Sequence, residues 1–236
     1  MRSAASRRST TSISQSKTTA APNPFTRPTT PTNQPSTTAT SSAATAIVFS
    51  WNDFLCPVEF FQSPTRPSAQ SLAQLDECIV HLLSHARTFG PVFVLCEGGA
   101  AYMEALCTSC LPRCARLFAS PESQQQIQLI CAATSPTTQW HGQMLHLVLT
   151  QRWPRPAHST TASSLAVFGK ETMRHGCLTL AKHAFLAQPK VVARATPPAT
   201  SMGGGGDVLA TLKALAGVGQ TLGKIVSHVG PIDIVV

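Results

Sequence analysis

Five short apolar runs, each followed by a stretch with helical spacing, constrain this chain more than any other feature. They occupy residues 46–49, 92–96, 127–132, 165–168 and 191–193. Runs of this length, rich in Val, Ile, Leu and Phe and lacking a polar alternation, read as strands buried on both faces of a parallel sheet. Between them, Leu72, Leu75, Ile79, Leu82, Leu83 and Ala86 recur at helical spacing after Ser68, a good N-cap, with Gly90 read as the glycine just past the helix end. Further helices are predicted from Ala100 to Ser109, over 113–118 beyond Pro112, around Trp140, Met144, Leu147 and Val148, and around Met173, Cys177, Leu180, Ala181 and Ala184. A last helix is predicted from Asp207 to His228, ended by Gly230-Pro231. The glycine run 203–206 reads as a linker, and 232–236 as an apolar tail lying on the domain. Alternating strands and helices predict an α/β three-layer sandwich, with a parallel five-stranded sheet and helices on both faces.

Charge divides the chain at one place. Residues 1–45 contain no Asp or Glu and are dense in Ser, Thr, Pro and Ala, so they offer too little apolar material for a core. They are expected to form a basic disordered tail, with the folded domain spanning 46–236. An acid-free start with Arg and Ser also fits a mitochondrial transit peptide, although Met1 to Gln15 holds few large apolar residues for an amphipathic helix. Five of the 18 basic residues precede the first acid, Asp53; beyond them 13 basic residues face 10 acidic ones. The high pI therefore belongs largely to the tail, and any nucleic-acid binding is expected through the tail alone. No run approaches 18 apolar residues, so no transmembrane segment is expected. Eight cysteines scattered through apolar segments suit reduced thiols of an intracellular protein, cytoplasmic or mitochondrial, better than a disulfide framework.

Several residue groups invite chemical readings, and for most the bland reading is stronger. Cys107, Cys110 and Cys114 have the tightest cysteine spacing, but a zinc site needs a fourth ligand; a buried face of one helix accounts for them better. Cys96 and His141 could form a thiolate–imidazole pair, against the plainer reading of a buried Cys and a surface His. Gly217 and Gly223 are separated by five residues, and Ile225 follows Lys224, so the phosphate-loop pattern fails. His81 and His85 lie one turn apart without the Glu a zincin needs, which fits a solvated helix face. No G-x-S-x-G elbow surrounds any Ser.

The first apolar run ends in Ser50-Trp51-Asn52-Asp53-Phe54-Leu55. Placed after a buried strand, and followed in order by Cys96, Trp140-His141 and Gly169-Lys170, this cluster resembles the first motif of the haloacid dehalogenase (HAD) superfamily, in the branch that reads D-W-D-D-T-L. Further support comes from Ala101-Tyr102-Met103-Glu104 and Leu106-Cys107-Thr108-Ser109-Cys110-Leu111-Pro112, which are similar to that branch's G-W-V-E and S-C-x-x-x-L-P. The resemblance covers about residues 46–236 and implies a HAD-like Rossmannoid sandwich. It places the family's nucleophile at Ser50, the general acid/base at Asn52, the phosphate-binding hydroxyl at Cys96, the charge-balancing lysine at His141, and the magnesium-binding acid at Lys170. Trp51, Asp53 and Leu55 are retained.

These replacements remove the acids that such a site uses. Magnesium wants oxygen ligands with carboxylate charge. Ser50 is neutral, and Lys170 brings a positive charge to the metal position, where it could pair with Asp53. Ser50 also has no base beside it, because Asn52 cannot accept a proton. The expectation is a catalytically inactive domain, a pseudophosphatase without cofactor or metal, acting as a binding or scaffolding protein for protein partners. Ser50, Asn52, Asp53, Cys96, His141 and Lys170 would be vestigial positions around one cleft. The alternatives are a phosphatase of unusual mechanism and a basic-tailed protein associated with nucleic acid.

Overall fold

The computed structural model describes residues 45–58, 61, 68–152, 163–183, 187–195 and 208–236. Residues 1–44 of the expected tail or transit peptide and the glycine run 203–206 lie outside the described residues; Thr45, expected in the tail, is the first residue of the first strand. All described residues belong to one compact unit, Ser41–Val236.

The apolar runs form β1 (Thr45–Ser50), β2 (Val92–Cys96), β3 (Ile127–Cys131), β4 (Ser163–Lys170) and β5 (Ala187–Arg194), joined by β6 (Ile232–Val235). They make one sheet in the order β3-β2-β1-β4-β5-β6, every pair parallel. This is the strand order of doubly wound, Rossmann-type sheets. The sheet has six strands rather than the expected five, because the segment read as an apolar tail pairs with β5 from Lys190↔Ile232 to Ala193↔Val235. β5 is also longer than its apolar centre suggested and includes Pro189. Proline lacks a ladder donor and belongs where one side is unpaired. Pro189 meets that condition, since β6 begins pairing only one residue later.

The helices are α1 (Ala69–Ala86), α2 (Ala100–Cys110), α3 (Pro112–Ala119), α4 (Pro121–Gln124), α5 (Trp140–Leu147), α6 (Glu171–His183) and α7 (Val208–Ser227), with a π-helical turn over Val148–Arg152 continuing α5. Successive strand residues point to opposite faces, and the sheet divides its side chains accordingly. Ile47, Phe49, Val94 and Phe168 pack with Leu75 and Ile79 of α1, Met103 of α2, and Leu215 and Leu222 of α7. Val48, Phe93, Leu165 and Val167 pack on the other face with Leu145 of α5 and Met173 and Cys177 of α6. Each such side chain contributes roughly 1.5–3 kcal/mol on burial, so the sandwich is held together well away from its polar edge.

Local chemistry sets the helix ends. Ser68 caps α1 by accepting from the Ser71 N–H at 3.1 Å. Gly90 does not terminate α1, which ends at Ala86 with Arg87 as its C-cap. A Cβ at Gly90 would collide with the Thr45 carbonyl oxygen, so glycine is needed there for close passage of β1. Pro112 opens α3 as its first residue, where its missing N–H costs nothing. The break divides the three close cysteines between two helices, correcting the single-face expectation: Cys107 and Cys114 are buried and Cys110 half-buried. No group of three His, Cys, Asp or Glu among the described residues can hold a metal ion. Gly217, Gly219 and Gly223 lie within α7 and form no loop.

Three buried polar features pin the outer layers. Asp76 of α1 is 1% exposed, and its carboxylate accepts from the Arg113 N–H at 2.7 Å and the Cys114 N–H at 2.8 Å, capping α3. Lys190 of β5 is buried and donates to the Val226 carbonyl at the end of α7, where the helix dipole favours a cation; burial pushes its ammonium pKa down. On the opposite face, α5 and α6 meet at Gly142 and Gly176, where a Cβ on Gly176 would lie 2.9 Å from the Gly142 nitrogen.

Candidate functional site

Strand order reverses between β1 and β4: β2 and β3 follow on one side, β5 and β6 on the other. The crevice outside the carboxyl ends at such a switch point is where open α/β sheets place their ligands. The residues delivered there by β1, β2, β4 and β5 are Ser50 to Asp53, Glu97, Lys170 and Arg194, with His141 from α5 and Thr172 from α6.

The chain leaves β1 in a tight loop. The Trp51 N–H donates to the Leu95 carbonyl at 2.8 Å, the Leu55 N–H to the Ser50 carbonyl at 3.2 Å, and the Asp53 N–H to the Cys56 carbonyl at 2.9 Å. Asp53 sits at φ 64°, a left-handed conformation that Asp tolerates better than most residues. Phe54 packs near Phe49 and Phe168, with ring centroids at 6.3 and 6.1 Å. Trp51 meets Phe118 of α3 edge-on at 6.0 Å. These rings fasten the loop to the core, so its polar groups are held in place.

Those polar groups are already engaged. The Ser50 hydroxyl is fully buried and donates to the Asn52 carbonyl at 2.9 Å. Asn52 Oδ1 accepts from the Glu97 N–H at 2.9 Å, tying the first loop to the end of β2. Lys170 Nζ lies 2.7 Å from Glu97 Oε1 and 3.7 Å from Asp53 Oδ2. His141 Nε2 is 3.3 Å from Glu97 Oε1, within ion-pair reach but off the line of a well-directed hydrogen bond. Its Nδ1 is 3.2 Å from the Thr172 hydroxyl. Arg194 donates to the Asp53 carbonyl at 3.0 Å and to Thr211 of α7 at 3.3 Å, with its guanidinium 5.8 Å from the Phe54 ring centre.

The electrostatics follow from these neighbours. Burial pushes the His141 pKa below its ordinary value; Glu97 pulls it up and Lys170 pushes it further down. The imidazole is therefore neutral at pH 7. Burial also lowers Arg194, with Asp53 opposing, but a guanidinium stays charged near neutrality. Two carboxylates, Asp53 and Glu97, thus face two cations, Lys170 and Arg194.

The structure brings Asn52, Asp53, His141 and Lys170 into one network and sets Ser50 beneath it. Cys96 is placed differently: its side chain turns into the core, opposite Cys131 of β3. His141 is buried rather than on the surface: Thr172 engages Nδ1, while Nε2 has the Glu97 carboxylate nearby at 3.3 Å without a directed hydrogen bond. With Cys96 turned to Cys131, the thiolate–imidazole pair does not form. Sequence reasoning missed Glu97, Thr172, Arg194 and Thr211. The available signal was position: Glu97, one of only 10 acids, and Arg194 both stand where a strand ends.

The magnesium site that the HAD resemblance implies does not fit these residues. The Ser50 hydroxyl is committed to Asn52, and the ammonium of Lys170 lies against both carboxylates that a hard cation would need. What the arrangement can do is hold the sheet edge rigid and present a charge-balanced surface. No family model, curated protein or solved structure matches the chain.

Proposed function

We propose that this chain is a HAD-like domain that has lost hydrolase activity and serves as a binding or scaffolding protein for other proteins. The observation that carries the reading is Lys170 Nζ lying between Glu97 and Asp53, with a lysine where the family places an acid. A covalent phosphoryl transfer would need an activated nucleophile. The Ser50 hydroxyl instead donates to a backbone carbonyl, and its neighbour Asn52 is spent on the Glu97 N–H. Fold and site chemistry are separable, and the two apolar cores keep the scaffold intact whatever the edge carries.

Eight free thiols suit a reducing, intracellular setting, cytoplasmic or mitochondrial. Among the described residues no helix is long and apolar enough to cross a membrane. The test is hydrolysis of para-nitrophenyl phosphate by purified full chain with and without magnesium. No turnover above buffer is expected. Magnesium-dependent turnover abolished by Ser50→Ala would establish the opposite reading, a phosphatase of unusual mechanism.

A further inference from the structure

We propose that Cys96 and Cys131 are a redox modification site, a thiol pair that a hydroperoxide oxidises to an intramolecular disulfide beside the candidate site. The inference rests on the sheet register and is independent of whether the domain is a pseudophosphatase.

Cys96 and Cys131 are directly facing partners at the ends of β2 and β3. Neighbouring strands lie about 4.8 Å apart, within the roughly 4.4–6.8 Å that disulfide Cα atoms span. The Ala132 N–H donates to the Cys96 carbonyl at 2.9 Å, so the pairing holds to the strand ends. Both side chains turn to the same apolar core, close enough that each thiol shifts the other's pKa. Neither is in a disulfide.

The two sulfurs are unequal. Cys96 is fully buried; Cys131 is half-buried. Cys96 lowers the pKa of Cys131, while Cys131 raises that of Cys96, with the Gly98 N–H partly opposing that rise. The thiols of Cys107 and Cys177 are pushed up to about 12 by burial, and Cys56 and Cys114 are raised as well. Cys131 is thus the more accessible sulfur of this pair and the one whose proton leaves more readily, and the thiolate is the reactive form.

The chemistry balances in two steps. The Cys131 thiolate attacks the hydrogen-bearing peroxide oxygen; the O–O bond breaks, Cys131 becomes a sulfenic acid, and the other oxygen leaves, taking a proton, as an alcohol or, from hydrogen peroxide, as water. The Cys96 sulfur then attacks the Cys131 sulfur. The S–S bond forms, the S–O bond breaks, and hydroxide leaves with the Cys96 proton as water. Two thiols are oxidised by two electrons, and the hydroperoxide is reduced. Glu97 follows Cys96 directly and holds Lys170 at 2.7 Å, so a bond at Cys96 would reach the ion network through one peptide unit.

The test treats fully reduced full-length protein with stoichiometric hydrogen peroxide, blocks remaining thiols and maps the peptides by mass. Expected is a loss of two hydrogens, located to a Cys96–Cys131 linkage and reversed by dithiothreitol. Cys131→Ser should abolish it, and Cys96→Ser should leave a sulfenic acid on Cys131 that dimedone traps. Circular dichroism of each variant separates misfolding from lost chemistry, with Cys131→Ala as the substitute if Cys131→Ser unfolds. A linkage between other cysteines, no linkage, or unchanged oxidation in the folded Cys131 variant would overturn the proposal.

Discussion

Carboxylates are answered by opposite means at two places in this molecule. Under α3, the Asp76 carboxylate is answered by two backbone N–H groups and is 1% exposed. At the carboxyl edge, the Asp53 and Glu97 carboxylates are answered by side-chain cations, and their exposures are 45% and 20%. The first arrangement is fixed by the backbone and serves architecture. The second is assembled from the ends of four strands, includes a left-handed residue at Asp53, and remains partly open to solvent. Stability should therefore reside in the first, and ligand or ion preference in the second.

The largest effect is expected at Asp76. Asp76→Ala would leave two buried donors without a partner and should cost about 2–4 kcal/mol, read from the urea midpoint, while the response to magnesium stays that of the parent. A loss below about 1 kcal/mol would erase the contrast. Next comes Lys170. Lys170→Ala should cost about 1 kcal/mol or less, because the pair is partly solvated. Lys170→Asp should make the melting temperature rise with magnesium, by an amount equivalent to about 1.4 kcal/mol at tenfold the dissociation constant, where the parent is indifferent. A magnesium response in the parent would show that the ammonium does not hold that position.

The third effect depends on pH. The His141 pKa is lowered in the fold by burial and by Lys170, so between that lowered value and about 6.5 the unfolded chain binds more protons. Stability must then fall as pH drops through about 6.5 toward the folded pKa. His141→Gln should flatten that part of the profile while leaving the Asp76 contribution in place. The smallest effect is expected at the exposed tether of β6, where Arg174 meets Asp233 at 2.6 Å. Arg174 holds the Asp233 carboxyl below its usual range. The stability it adds is present above the ordinary carboxylate pKa and fades as pH falls through the depressed value. Asp233→Asn should speed hydrogen exchange in β6 with little change in global melting.

The sheet and most helices were legible because they rest on local signals: apolar runs of strand length, Ser68 before a 3.6-residue period, and Pro112 as a break between two helices, though it proved to be the first residue of the second. β6 was not legible as a strand. Ile232-Asp233-Ile234-Val235 is four residues long, and its partner β5 is more than 35 residues upstream in sequence. At the site, the replacement of an acid by Lys170 could be read only through the family resemblance, and its pairing with Asp53 followed from charge. Glu97 is followed by Gly98-Gly99, a turn signal in itself; nothing local says that its carboxylate folds back toward Lys170. Asp76 was overlooked although it lies four residues after Leu72 and three before Ile79, a charged residue on an apolar stripe. What covers it is the start of α3, which helical periodicity does not reveal.

The meeting of Gly142 with Gly176 has a bearing on how this edge could be altered. Gly142 follows His141 directly, and Gly176 lies one turn beyond Thr172. A methyl group added at Gly176 would press on the Gly142 backbone and wedge α5 away from α6, separating the imidazole from its hydroxyl neighbour, whereas one added at Gly142 would meet Gly176 at an ordinary 3.7 Å. The separation of His141 from Thr172 at the crevice is thus set from the side of the molecule, by how closely these two helices pass. Gradual remodelling of the rim is blocked at Gly176, since the smallest available change in side-chain size is already too large.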